Sequence, residues 1–138
     1  MIRPAIHDDI PWLLEMGRDF AAEAGVIEHI GWDDDAVTIL LESLIETDGG
    51  ILLRSDNGMI GGMVYVHPYS GGKVFQELFW RSHGPGEGVR LLKEAERAAV
   101  EMGATRSIMI GMADLPDLAG LYGRMGYAPI EQLYCKEL

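Results

Sequence analysis

Three places in this 138-residue chain carry groups able to do chemistry. The first is Glu77, in the run KVFQELFWR. Side chains along an extended strand alternate faces, which puts Phe75, Glu77, Phe79 and Arg81 on one side and Val74, Gln76, Leu78 and Trp80 on the other. A carboxylate set between two phenyl rings has its charged form disfavoured, so its pKa rises toward neutrality and it becomes suited to taking a proton from a substrate. An acid paired with a neighbouring Arg or Lys, or reaching solvent, is the alternative the residues leave open. The second place is RSHGPGEGVRLL, residues 81–92, where Gly84, Gly86 and Gly88 mark the passage from a strand to a helix. A helix start offers backbone N–H groups and partial positive charge, and glycine lets a ligand approach the main chain, so the junction suits a phosphate; a ligand-free tight turn would use the same letters. The third is Tyr122, on a helical face with Leu118, Leu121 and Met125, where a core aromatic with a polar tip is the reading the residues give unaided.

Other chemistries find little footing. His7, His29, His67 and His83 lack close metal-ligand spacing, and Asp33, Asp34 and Asp35 read as a solvated helix start, so no metal is expected. His67, just before Pro68, is a reserve base or a turn residue. No Gly-x-Ser-x-Gly elbow and no Gly-Lys-Ser/Thr phosphate loop occurs. Trp12, Trp32 and Trp80 are packing candidates. Cys135 is the only cysteine, which excludes an internal disulfide.

These groups need a scaffold, and the sequence supplies its order. An extended start at residues 2–6 leads to a helix that Asp8 can cap, with Leu13, Leu14, Gly17, Phe20 and Ala21 at helical spacing and Gly25 at its end. A second helix follows WDDD, with Val37, Leu40, Leu41 and Leu44 on one face. Strands at residues 51–54, 59–67 and 73–81, separated by SDNG and PYSGG, form an antiparallel meander. The period then changes: Val89, Leu92, Ala95, Ala99 and Met102 mark a helix stopped by Gly103. A strand at 105–112, a fourth helix capped by Asp114 and stopped by Gly126, and two short strands in YAPIEQLYCKEL complete the order. The strand from Lys73, the helix after it and the strand from Thr105 form a crossover unit, so those two strands should run parallel.

The length fits one domain over residues 1–138. Eleven Lys and Arg against 22 Asp and Glu give a net charge of -11, which repels phosphate backbones, so nucleic acid is not an expected partner. With acids where a signal peptide needs an apolar run, and no apolar stretch of membrane-spanning length, a cytoplasmic protein with no membrane partner is the expectation.

HGPGEGVRLL resembles the acyl-CoA loop of the GNAT superfamily of N-acyltransferases, written Arg/Gln-x-x-Gly-x-Gly/Ala before a helix with a Leu-Leu pair; Gly86 and Gly88 match, while His83 replaces the Arg or Gln. IRPAIHDDIPWLLEM looks like the family's first strand and helix. DLPDLAGLYGRMGYAPI resembles its later motif, with Ala119, Leu121, Tyr122, Gly126 and Tyr127 at matching positions and Pro116 where many members have Asn.

The resemblance implies an α+β, three-layer fold: a mixed, mostly antiparallel sheet of six or seven strands, four helices and one splayed parallel pair. It implies acetyl-CoA as co-substrate, without a metal, and transfer of an acetyl group to a primary amine, on a small molecule or a lysine side chain. In that scheme Tyr122 protonates the departing sulfur and Glu77 is the general base. Phe79, Trp80 and Arg81 offer backbone to the pantetheine arm and the oxyanion, and His83, Gly84, Pro85, Gly86, Glu87 and Gly88 hold the diphosphate. A catalytically silent CoA-binding sensor or interaction module of the same fold is the alternative, and a homodimer is open in either case.

Overall fold

The computed structural model describes residues 1–84, 86–111 and 118–138. A short strand β1 (Arg3–Pro4) and a 3-10 turn (His7–Asp9) lead into helix α1 (Ile10–Glu23). Asp9, not Asp8, organises this entry. Its carboxylate is buried, accepts the Ile6 N–H at 2.9 Å, and is gripped by Arg3 at 2.7 and 2.8 Å and by Arg54 at 3.1 Å. These bonds hold the Asp9 carboxyl far below the ordinary carboxylate range. The Arg54 guanidinium also lies 3.6 Å over the Trp12 ring, fastening α1 to the sheet.

Gly25, at φ 76°, ends α1 and opens a single helical turn, α2 (Val26–His29), too short to leave a periodic signature in the sequence. Helix α3 (Asp34–Glu46) starts as expected: the Asp33 carboxylate accepts from the N–H groups of Asp35 and Ala36 at 2.8 and 3.1 Å. Strands β2 (Gly50–Arg54), β3 (Gly58–Val66) and β4 (Lys73–Ser82) form the antiparallel meander, helix α4 (Glu87–Glu101) crosses over, and β5 (Arg106–Ile108) pairs with β4 in parallel. A six-residue helix, α5 (Ala119–Arg124), follows.

The sheet order is β1-β2-β3-β4-β5, five strands among the described residues where six or seven were expected. The shortfall is at the C-terminus: residues 128–138 are exposed and form no strand. Pro129 has no N–H to give a ladder there. Four helices were expected and five are described, the addition being α2.

Each face of the sheet carries a core. Leu91, Leu92, Ala95 and Ala99 of α4 are buried against Ile51, Ile60, Val64 and Phe75, while Leu13, Met16, Leu41 and Leu44 of α1 and α3 cover Leu52 and Met59. Each fully buried Leu contributes about 1.5–3 kcal/mol, and these stripes fix α4 relative to β4.

Candidate active site

The site grows from one extra residue. Strand β3 pairs Gly61 with Phe79 and Gly62 with Glu77, so Leu78 is left without a partner and β4 bulges. The bulge reverses the alternation expected for this strand. Phe75, Glu77 and Trp80 share the α4 face, whereas Phe79 and Arg81 turn to the α1 face, where Phe79 joins the second core. Glu77 therefore does not lie between two phenylalanines; Phe75 flanks it on one side and the Trp80 region on the other.

Two adjacent glycines of β3 make this possible. A side chain at Gly61 would put its Cβ 2.2 Å from the Phe79 ring, and one at Gly62 would meet the Phe75 ring at 2.6 Å and the Gln76 carbonyl at 2.3 Å. The rings rest on bare backbone from opposite faces.

Beside the bulge the parallel pairing ends. The last β4–β5 pair is Gln76 with Ile108, and into the gap beyond it projects the Glu77 carboxylate, 3% exposed. Burial raises its pKa to about 7, opposed by the Ile110 N–H, which donates to Oε2 at 3.3 Å.

Across from Glu77 stands Tyr122 of α5, half-buried. Its phenol is pushed up to about 12, first by burial and then by the charge of Glu77. The Tyr122 ring lies 6.2 Å from Trp80 and 5.7 Å from Tyr127, centroid to centroid. The fold thus brings together the two residues singled out for acid and base roles, 45 positions apart in sequence.

The glycine junction is a helix start, as read. Gly86 takes φ 74° at the N-cap of α4, a conformation that favours glycine. Arg90 N–H donates to Gly86 O at 3.2 Å, so the amides of Gly88 and Val89 lie before the intrahelical ladder begins. Other loop amides already have partners: His83 N–H donates to Asn57 O, Gly84 N–H to the Ser82 hydroxyl, and Glu87 N–H to Gly84 O. Trp80 packs on Gly88 and donates its indole N–H to Gly88 O at 2.9 Å, which ties the loop to β4.

Glu87 does not point away from the loop. Its carboxylate folds back to within 3.0 Å of where a Gly84 Cβ would stand. Arg81 is no counter-charge for it, since its guanidinium pairs with Glu23 of α1 at 2.7 and 3.0 Å. Arg90 shares with Glu87, Lys93 and Arg97 an open groove of about 560 Å³ on the outer side of α4. On the α1 side, exposed His83 borders a smaller hollow of about 250 Å³ with Trp12, Glu15, Met16 and Asp19. The readings on Pro85, Asp114 and Pro116 fall outside the described residues. Among the described residues no group of three His, Cys, Asp or Glu is arranged to hold a metal ion, and no helix is long and apolar enough to cross a membrane.

No protein-family model and no curated protein matches the chain. Solved structures do. A transcriptional regulator from Bacillus halodurans C-125 superposes with a TM-score of 0.78 at 16% identity, over 100% of this chain and 99% of that one. A ribosomal-protein-alanine N-acetyltransferase from Brucella melitensis biovar Abortus 2308 gives 0.72 at 16% identity, over 100% and 99%. An aminoglycoside antibiotic 6'-N-acetyltransferase from Acinetobacter haemolyticus gives 0.72 at 14% identity, also over 100% and 99%.

The chain has the GNAT fold. Within that fold, residues 79–81 lie past the end of the β4–β5 pairing and residues 86–88 start α4. The opened ladder and the Gly86 cap fit an extended thioester arm and a diphosphate. The Glu87 carboxylate is the one group in the loop whose charge opposes them. The bulge and the Gly61-Gly62 pair that shape the gap were missed by strict alternation; two glycines inside an apolar strand are the signal that could have found them.

Proposed function

We propose that the protein is an acyl-CoA-dependent N-acyltransferase that moves an acetyl group from acetyl-CoA to a primary amine, on a small molecule or a lysine side chain. The observation that carries this reading is the buried Glu77 carboxylate past the last β4–β5 pair, with the Tyr122 phenol near enough to feel its charge.

Glu77, with a pKa of about 7, is ionised in a useful fraction at neutral pH and takes one proton from the ammonium form of the acceptor. The freed lone pair forms the new C–N bond while a β4 backbone N–H in the 79–81 stretch faces the carbonyl oxygen. As the C–S bond breaks, Tyr122 gives its proton to the sulfur, and the proton left on the nitrogen restores the phenol. Glu77 then releases its proton to water. One proton is released overall, and no charge is stranded in the gap.

A second reading, a CoA-binding module without turnover, draws support from Glu87 at the loop. Calorimetry with acetyl-CoA, followed by thiol release over a panel of primary amines, separates the two. Binding with release for at least one amine supports the enzyme; binding without release for any supports the silent module; no binding refutes both.

A further inference from the structure

Helix α5 cannot hold Tyr122 in place by itself. It has six residues, two of them glycine, and none of its residues is buried. A helix that short is not stable on local bonds alone. What fixes the phenol must come from outside the helix, and among the described residues the chain just past its end makes such contacts.

The helix closes in a Schellman motif. Gly126, at φ 88°, donates its N–H to Gly123 O at 3.1 Å, and Tyr127 N–H reaches back to Tyr122 O at 2.8 Å. In this motif the residue after the glycine packs on the residue whose carbonyl it caps, and the 5.7 Å ring contact between Tyr127 and Tyr122 is that packing. The Tyr127 hydroxyl is held in turn from two separate elements. It donates to Glu96 Oε2 of α4 at 2.9 Å and lies 2.6 Å from Ser107 Oγ of β5. A phenol has one proton to give, so with that proton on the carboxylate, Ser107 is the donor to Tyr127. The Tyr122 ring also neighbours Trp80, itself bonded to Gly88.

We propose that Tyr127 is a positioning residue for Tyr122: anchored by Glu96 and Ser107, its ring fixes the phenol of Tyr122 against Trp80 and so at the sulfur of the acyl donor. The proposal rests on the reading of Tyr122 as the proton donor. Its distinctive content is that a hydroxyl outside the reacting atoms controls turnover through the Tyr122 ring.

The test uses the full chain, acetyl-CoA and the amine of the panel that gives the fastest thiol release, together with NMR of the Tyr122 ring in the protein alone. Tyr127→Phe keeps the ring and the cap and removes only the hydroxyl. It should lower kcat about tenfold, since small misplacements of a reacting group are costly, while the Kd for acetyl-CoA stays within about twofold. It should also speed flipping of the Tyr122 ring, a readout that needs no acceptor. In a Tyr122→Phe background the same change should have little further effect on kcat, because the group it positions is gone. Ser107→Ala and Glu96→Gln approach the anchor from its other ends, and both should lower kcat by smaller factors. An unchanged kcat and flip rate in Tyr127→Phe, or an equal fall in the Tyr122→Phe background, would overturn the proposal while leaving Tyr122 as the donor. Full turnover in Tyr122→Phe itself would overturn both.

Discussion

Replacing Glu77 by Gln tests the centre of the site through stability as well as rate. The carboxylate has an ordinary value of 4.5 and about 7 in the fold, with burial as the main cause. Because the folded-state pKa is the higher one, Glu77 favours folding least where it must be ionised: the native protein gives up stability as pH rises from 4.5 to about 7. That rise in pKa corresponds to about 3 kcal/mol. Gln has nearly the same shape, can accept the Ile110 N–H, and carries no charge to bury. Glu77→Gln should thus stabilise the protein by under about 1 kcal/mol near pH 5 and by about 3 kcal/mol near pH 8. Urea denaturation of both proteins across that range measures the difference directly. The same variant should lose activity by a factor of about 10² to 10⁴, and wild-type kcat/KM should rise with pH through about 7. A stability difference that stays flat with pH would refute the argument that burial controls this carboxylate, and undiminished activity would remove it as the base.

Three further perturbations probe the supports. Glu87→Gln removes the charge facing the expected diphosphate and should tighten acetyl-CoA binding about threefold to tenfold at low salt, with a smaller gain at high salt, by calorimetry. Gly61→Ala drives a methyl into the Phe79 ring, 2.2 Å away, and should cost about 1–3 kcal/mol in a urea titration, partly recovered by adding Phe79→Leu. Asp9→Asn leaves Arg54 without its buried carboxylate and should lower stability by about 2 kcal/mol at neutral pH; since the Asp9 pKa is depressed, that difference should vanish only in strong acid.

How much of this was open to a reader of the sequence depends on how local the cause is. The α3 cap at Asp33, the Gly86 start and the Gly103 and Gly126 stops each follow from one residue's backbone or side-chain preference, and they stand within a residue or two of where they were read. Tyr122 was legible through the later motif, whereas Glu77 was picked out by an alternation that the bulge overturns and by the role the resemblance implies, and that the two are neighbours was not legible at all. The facing of Phe79, Trp80 and Arg81 was not either, because a bulge is a property of two strands at once and alternation along one of them cannot reveal it. The roles of Asp9 and Tyr127 were hidden for a related reason: their partners, Arg54, Glu96 and Ser107, are brought near only by the fold. The final strand pair failed because apolar letters around Pro129 say nothing of whether an edge exists to receive them.

The bulge at Leu78 makes the cleft a matter of counting. Given the two bare glycines opposite it, the opening needs only that one strand carries one residue more than its neighbour over the same span. Rearranging the surrounding loops therefore cannot abolish it, whereas losing a single residue there would swap the inner and outer faces of everything downstream as far as Ser82. A library of one-residue deletions should accordingly show a sharp zone of intolerance in mid-strand, flanked by permissive turns, that outlines the bulge without any ligand being present.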